Sequence, residues 1–103
     1  MNIIFGRHNA ATIKENHLVL ELETLDANGR PLECFCVLDS ASVPLSELPL
    51  LEHYLKLHQT LVDNLKNQKH AVCLDLIEHL QGKFGGELDS FYQVIAERIN
   101  KDA

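Results

Sequence analysis

The second half of the chain repeats hydrophobic residues every three or four positions, the spacing of one face of an α-helix. This pattern predicts three helices, at Leu48–Leu65, at His70–Gln81, and from Glu87 or Leu88 to Ile99. In the first of them, two neighbouring stripes make a hydrophobic face wider than a surface helix needs. The stripes are Leu51, Leu55, His58, Val62 and Leu65, and Leu50, Tyr54, Leu57 and Leu61. We therefore expect this helix to be covered on two sides.

The first half of the chain instead alternates hydrophobic and polar residues, which is typical of half-buried β-strands. The alternation predicts a strand at Leu18–Thr24, with a return strand at Leu32–Leu38. The short run Asn2–Phe5, which ends at Gly6, is predicted as a further strand. The two longer strands are joined through Asn28-Gly29, a pair that supplies the positive φ angles of a tight hairpin. Because Leu32–Leu38 carries hydrophobic residues on both faces, we expect it to be the central strand.

A short segment between the first two strands has the signals of a small helix. Asn9 stands where an N-cap belongs, and the run after it forms two helical turns at most before it breaks near Asn16. An irregular loop is the alternative. The order of strand, short helix, two strands and three helices predicts an α+β fold. We expect a single domain, in which a β-α-β-β sheet layer at residues 1–45 packs against a helical layer at residues 46–103.

Composition narrows the classes of partner. The 103 residues carry a net charge of −6, and the nine basic residues are scattered singly. Clustered Lys and Arg drive binding to phosphates and to anionic lipids, so we expect neither a nucleic-acid nor a membrane partner. No hydrophobic run approaches the roughly 18 residues of a membrane span, and no signal peptide is recognisable. Three cysteines, an odd number, indicate free thiols in a reducing cytoplasm.

The closest approach to a metal motif is Cys34-x-Cys36. Residues two apart on a strand point to the same side, so with Cys73 and a nearby histidine these thiols offer a zinc site. Leu32 and Leu38 share that face, however, and free cysteine is among the most buried residue types. We therefore interpret the cysteines as core residues and expect no metal ion and no cofactor.

The candidate polar residues are few and do not form a catalytic motif. Asp75 and His79 lie four apart on one helix, a spacing that allows a carboxylate–imidazole pair. His58 lies on the hydrophobic stripe of another helix, where a hydrogen-bonded core histidine is the common role. No nucleophile stands beside a base in sequence, so we assign no catalytic residue. A small enzyme or ligand-binding protein that uses some of His8, His58, Asp75 and His79, in a cleft between sheet and helices, stays an alternative.

Four stretches resemble small proteins of tailed phages that infect marine cyanobacteria. The stretches are Asn2–Arg7, Glu47–Pro49, Cys73–Leu80 and Gly82–Tyr92. That group has no biochemical activity assigned to it, so the resemblance implies no catalytic or binding residue. It implies a location in the cytoplasm of an infected bacterium, and action through binding host or phage proteins.

The leading hypothesis is a small non-enzymatic protein-interaction module, a homodimer or the partner of a host or phage protein. It rests on hydrophobic surface beyond what one neighbouring layer covers. The expected interaction surface is the second face of the sheet, with Phe35 and Val37 on the central strand and Val19 beside them.

Overall fold

The computed structural model describes residues 2–39, 41 and 43–102, with the side chain of residue 102 excepted. The chain divides into two compact units, Met1–Ala41 and Ser42–Ala103. The boundary falls close to the predicted change from sheet to helices after residue 45. The first unit contains the sheet and the second is helical, so the predicted α+β class is confirmed. That the two units form a single domain stays a prediction.

The sheet unit has three antiparallel strands in the order β1-β3-β2. They are β1 (Asn2–Phe5), β2 (Leu18–Ala27) and β3 (Arg30–Leu38). The central position of β3 confirms the prediction made from its two hydrophobic faces. The hairpin between β2 and β3 turns at Asn28 and Gly29, whose φ angles are 55° and 83°. Both angles are positive, as this two-residue turn requires.

The helix α1 (Arg7–Ile13) follows β1 after one residue. The expectation of a helix was right, but the prediction that Asn9 is its N-cap was wrong. The chain leaves β1 through Gly6, where a φ of 90° suits glycine, and the helix begins directly afterwards. Asn9 therefore lies inside the first turn, and its Nδ2 donates back to the carbonyl oxygen of Phe5 at 3.0 Å.

One face of the sheet is buried along both longer strands. Its buried side chains are Leu20, Leu22, Cys34, Cys36 and Leu38. The hydrophobic alternation predicted this face. A β-bulge in β2 interrupts the regular pairing: Glu21 pairs with Phe35 and Thr24 with Glu33, so two residues of β2 oppose Cys34.

The helical unit begins with a 3₁₀ helix at Leu45–Leu50, followed by α2 (Leu51–Lys66), α3 (His70–Leu80) and α4 (Asp89–Asp102). A second 3₁₀ turn, Phe84–Gly86, lies between α3 and α4. The three helices confirm the prediction, although the start of α2 was placed too early. Pro49 lies inside the 3₁₀ segment, and α2 begins two residues after it.

The core of this unit is made by one face of each helix. Its fully buried side chains include Leu61 and Val62 from α2, Cys73 and Leu80 from α3, and Tyr92 and Ile95 from α4. Phe84, in the 3₁₀ turn, is also fully buried. Its backbone N–H donates to the Glu47 carboxylate at 2.7 Å, which ties the turn to the 3₁₀ helix at the start of the unit.

Candidate functional site

The strand β1 is an edge of the sheet, and its free side is the strongest candidate for a binding site. The Gly6 N–H donates to the Glu33 carbonyl oxygen at 2.9 Å, and Ile4 is paired with Phe35. In an antiparallel pair, alternate residues turn their backbone groups toward the neighbouring strand. Ile4 and Gly6 thus face β3, whereas Ile3 and Phe5 turn their N–H and C=O groups outward. The described residues place no further strand beside this edge.

The side chains of this edge are hydrophobic and incompletely covered. Ile3 is 47% exposed and Phe5 is 49% exposed, although both belong to a strand. A groove of about 500 Å³ runs along them. The residues that line it are Ile3, Ile4, Phe5, Asn9, Thr12 and Ile13. Apart from Asn9 and Thr12, all of these side chains are hydrophobic.

The helix α1 supplies the second wall of the groove. The Asn9 amide donates to the Phe5 carbonyl oxygen, and the Thr12 hydroxyl donates to the His8 carbonyl oxygen at 3.2 Å. The first of these bonds occupies one lone pair of the Phe5 carbonyl oxygen, and a carbonyl oxygen has two. Since none of the six lining residues is ionisable, the groove suits binding rather than proton transfer or nucleophilic attack.

The opposite edge of the sheet, β2, is built differently. It carries the bulge, and its acidic residues are Glu21, Glu23 and Asp26. Bulges and charged side chains are the usual means by which a protein prevents an edge strand from pairing with another chain. The sequence of β1, Asn-Ile-Ile-Phe, has no charge, no proline and no bulge. Of the two edges, only β2 therefore has a bulge and charged side chains, while β1 has only its short length to oppose pairing.

The predicted interaction surface is more covered than its sequence indicated. Phe35 is only 5% exposed, and Val19 and Val37 are half-buried. The Arg7 guanidinium lies 5.5 Å from the centre of the Phe35 ring. The premise of an uncovered Phe35 is thus wrong, because the first residue of α1 reaches across that face. Contact of Val19 and Val37 with a partner stays a prediction.

Two glutamates hold Arg7 in this position. Its Nε and Nη2 both donate to Glu33 Oε2, at 3.0 and 2.6 Å, and Glu21 Oε2 is 3.7 Å away. The hydrogen bond to Glu33 and the charge of that carboxylate raise the pKa of Arg7. The Arg7 guanidinium thus lies over Phe35 while it is paired with two carboxylates.

The candidate polar residues lie in different environments. His58 is 1% exposed, and its Nδ1 lies 2.8 Å from the Tyr92 hydroxyl, with the rings of Phe84 and Phe91 nearby. Asp75 and His79 are exposed on α3. The His79 imidazole is hydrogen-bonded to the backbone oxygen of Asp75, at 2.9 Å, rather than to its carboxylate. The enclosed His58 and the exposed pair therefore do not form one site.

The cysteines are buried, as predicted. Cys34, Cys36 and Cys73 are 5%, 0% and 0% exposed. Burial raises the pKa of the Cys34 thiol, with a smaller effect from the Glu23 charge, and burial also raises the pKa of Cys73. The raised pKa makes Cys34 and Cys73 poorer nucleophiles than an exposed thiol. Within the described ranges, no three histidine, cysteine or acidic residues are grouped as metal ligands.

Comparison with protein-family models, with curated proteins and with solved structures finds no match. No helix in the described part of the chain combines the length and hydrophobicity needed to cross a membrane. The sequence analysis did not predict the β1 groove, because it used Ile3, Ile4 and Phe5 only to identify a strand. The lack of charge in this strand is the one feature of the sequence that could have indicated a binding edge. The sequence does not show that the strand lies at an edge, because that depends on the strand order.

Proposed function

We propose that this chain is a small non-enzymatic protein-interaction module that binds an extended protein segment along β1. The observation that carries the proposal is the uncharged, regular edge of β1, with outward backbone groups at Ile3 and Phe5 beside a hydrophobic groove. Strand addition is a recurrent mode of peptide recognition, in which main-chain hydrogen bonds provide affinity and alternate side-chain pockets provide specificity.

The available contacts indicate a modest affinity. A docked strand gains main-chain hydrogen bonds at Ile3 and Phe5, each worth about 0.5–1.5 kcal/mol net. It also covers the exposed halves of these two side chains. A segment with alternating hydrophobic residues fits best, because every second side chain then points to the same face as Ile3 and Phe5.

The proposed setting is the cytoplasm of a bacterial host, where the partner is a host or phage protein or a second copy. Three buried free thiols support a reducing compartment. The net charge of −6 and the uncharged groove support a protein partner over a nucleic acid.

Displayed linear peptides test the proposal, with the protein held at a dilute concentration so that self-association does not compete. Phe5→Pro removes an N–H that points away from β3, and an edge strand tolerates proline at such a position. We expect the selected peptides to alternate in hydrophobicity and to lose binding to Phe5→Pro. Phe5→Leu retains the N–H and should retain most of the binding.

The matched control lies on the other edge. Val19→Pro removes an outward N–H from β2, because Leu20 is the residue that faces Cys36 there. Circular dichroism checks that each variant keeps its fold. Equal binding by wild type and Phe5→Pro, equal losses in both proline variants, or the absence of any selected peptide would contradict strand addition at β1.

A further inference from the structure

We infer that the strand accepted by β1 is β1 of a second copy of this chain, antiparallel to it and related by a two-fold axis beside Ile4. The inference rests on the proposed function and names its partner. Pairing of the two β1 strands joins two three-stranded sheets into one continuous six-stranded sheet.

The backbone groups of β1 are complementary to themselves in this register. Ile3 lies opposite Phe5 of the second copy, and Phe5 lies opposite Ile3 of the second copy. Since both residues point their N–H and C=O groups outward, each pair exchanges two hydrogen bonds. The Phe5 carbonyl oxygen keeps its bond from Asn9 and accepts the new one with its other lone pair.

The side chains fit the same register. Each half-exposed Ile3 packs beside a half-exposed Phe5 from the other copy, and pairs of aromatic and β-branched residues are favourable across strands. On the other face, Ile4 meets Ile4 of the second copy. No charged side chain of β1 is brought together with its equivalent, although each chain carries a net charge of −6.

The protected edge explains why pairing ends at two copies. Joining the β1 edges leaves the two β2 strands as the outer edges of the larger sheet. Those strands carry the bulge and Glu21, Glu23 and Asp26, which oppose further strand addition. A contact that uses the same patch on both copies closes as a dimer. A different protein would satisfy β1 equally well in hydrogen bonds, whereas a second copy also pairs each half-exposed Ile3 with a half-exposed Phe5 by symmetry.

A disulfide placed on the two-fold axis tests the register. Ile4 and its equivalent form a non-hydrogen-bonded pair, whose Cα atoms lie about 4.5 Å apart. That spacing is within the range that a disulfide bridges. With a mild thiol oxidant, Ile4→Cys should form a covalent dimer several-fold faster than Ile3→Cys, which lies two residues out of register with its equivalent. The native thiols are buried, so wild type should not cross-link.

Equal rates for Ile4→Cys and Ile3→Cys, or a faster reaction of Ile3→Cys, would overturn the register. Light scattering on wild type keeps the inference testable if a cysteine variant fails to fold. We expect twice the chain mass at about 100 μM, in the range of a weak association, and a loss of the dimer in Phe5→Pro but not in Val19→Pro. A wild type that stays monomeric would overturn the inference that a second copy pairs with β1. If wild type is monomeric but Phe5→Pro loses binding to the selected peptides, the proposed strand addition at β1 stands without the dimer.

Discussion

The two units of this protein differ in how many large side chains they bury completely. Of the eleven largest fully buried side chains among the described residues, nine belong to the helical unit and two to the sheet unit. Those two are Cys36 and Leu38, both on the central strand. Backbone groups inside a helix are bonded within that helix, whereas an open sheet ends in two edge strands. Exposed large hydrophobic side chains occur in both units, but the outward backbone groups of an edge strand belong to the sheet unit.

Polar groups follow the same division. In the helical unit, His58 and Tyr92 form a hydrogen bond in a fully buried position. In the sheet unit, Arg7 and Glu33 form theirs at the surface, above Phe35. A buried polar bond specifies how helices pack, because a poor arrangement leaves a desolvated group without a partner. A surface ion pair contributes much less.

The largest expected effect is a loss of stability in the helical core. Leu61→Ala removes a side chain with 0% exposure, so we expect a loss of about 2–5 kcal/mol of unfolding free energy from lost burial and a residual cavity. Leu45→Ala, at a position 83% exposed, is the matched control and should change stability by less than about 0.5 kcal/mol. Denaturant unfolding measures both. Similar losses of unfolding free energy in the two variants would show that Leu61 is no more tightly packed than the exposed Leu45.

A smaller loss of unfolding free energy is expected when the buried hydrogen bond between His58 and Tyr92 is removed. Tyr92→Phe keeps the ring but removes the hydroxyl next to His58 Nδ1, which should cost about 1–3 kcal/mol in a position without water. Tyr54→Phe, on a half-buried tyrosine of α2, provides the comparison with the same chemical change. If Tyr92→Phe were as stable as wild type, the His58–Tyr92 bond would not contribute to the packing of α2 against α4.

The smallest effect on stability is expected at the open edge, where association should change instead. Ile3→Lys replaces a half-exposed side chain with a charge on the edge strand, so unfolding at dilute concentration should shift by about 0.5 kcal/mol or less. Its molar mass at high concentration should fall to that of one chain. Phe35→Lys makes the contrast, since it introduces a charge at a buried position and should destabilise the fold. A stable and fully dimeric Ile3→Lys variant would show that β1 does not form the interface.

Much of this architecture follows from local patterns. The three-to-four residue repeat identified α2, α3 and α4, and the alternation identified β2 and β3 with their turn at Asn28. The position of β3 in the centre followed from its two hydrophobic faces. These features are determined by which residues avoid water and by the few backbone angles that a turn allows.

Local patterns thus predicted the strands, the α-helices, the α+β class and the burial of the three cysteines. Which hydrophobic residues stay exposed depends instead on how the elements pack. Phe35 and Ile3 look equally hydrophobic along the chain, but α1 brings Arg7 over Phe35, and the strand order leaves Ile3 at an edge. Exposure depends on neighbours that are distant in sequence, and the periodicity of one segment does not specify those neighbours.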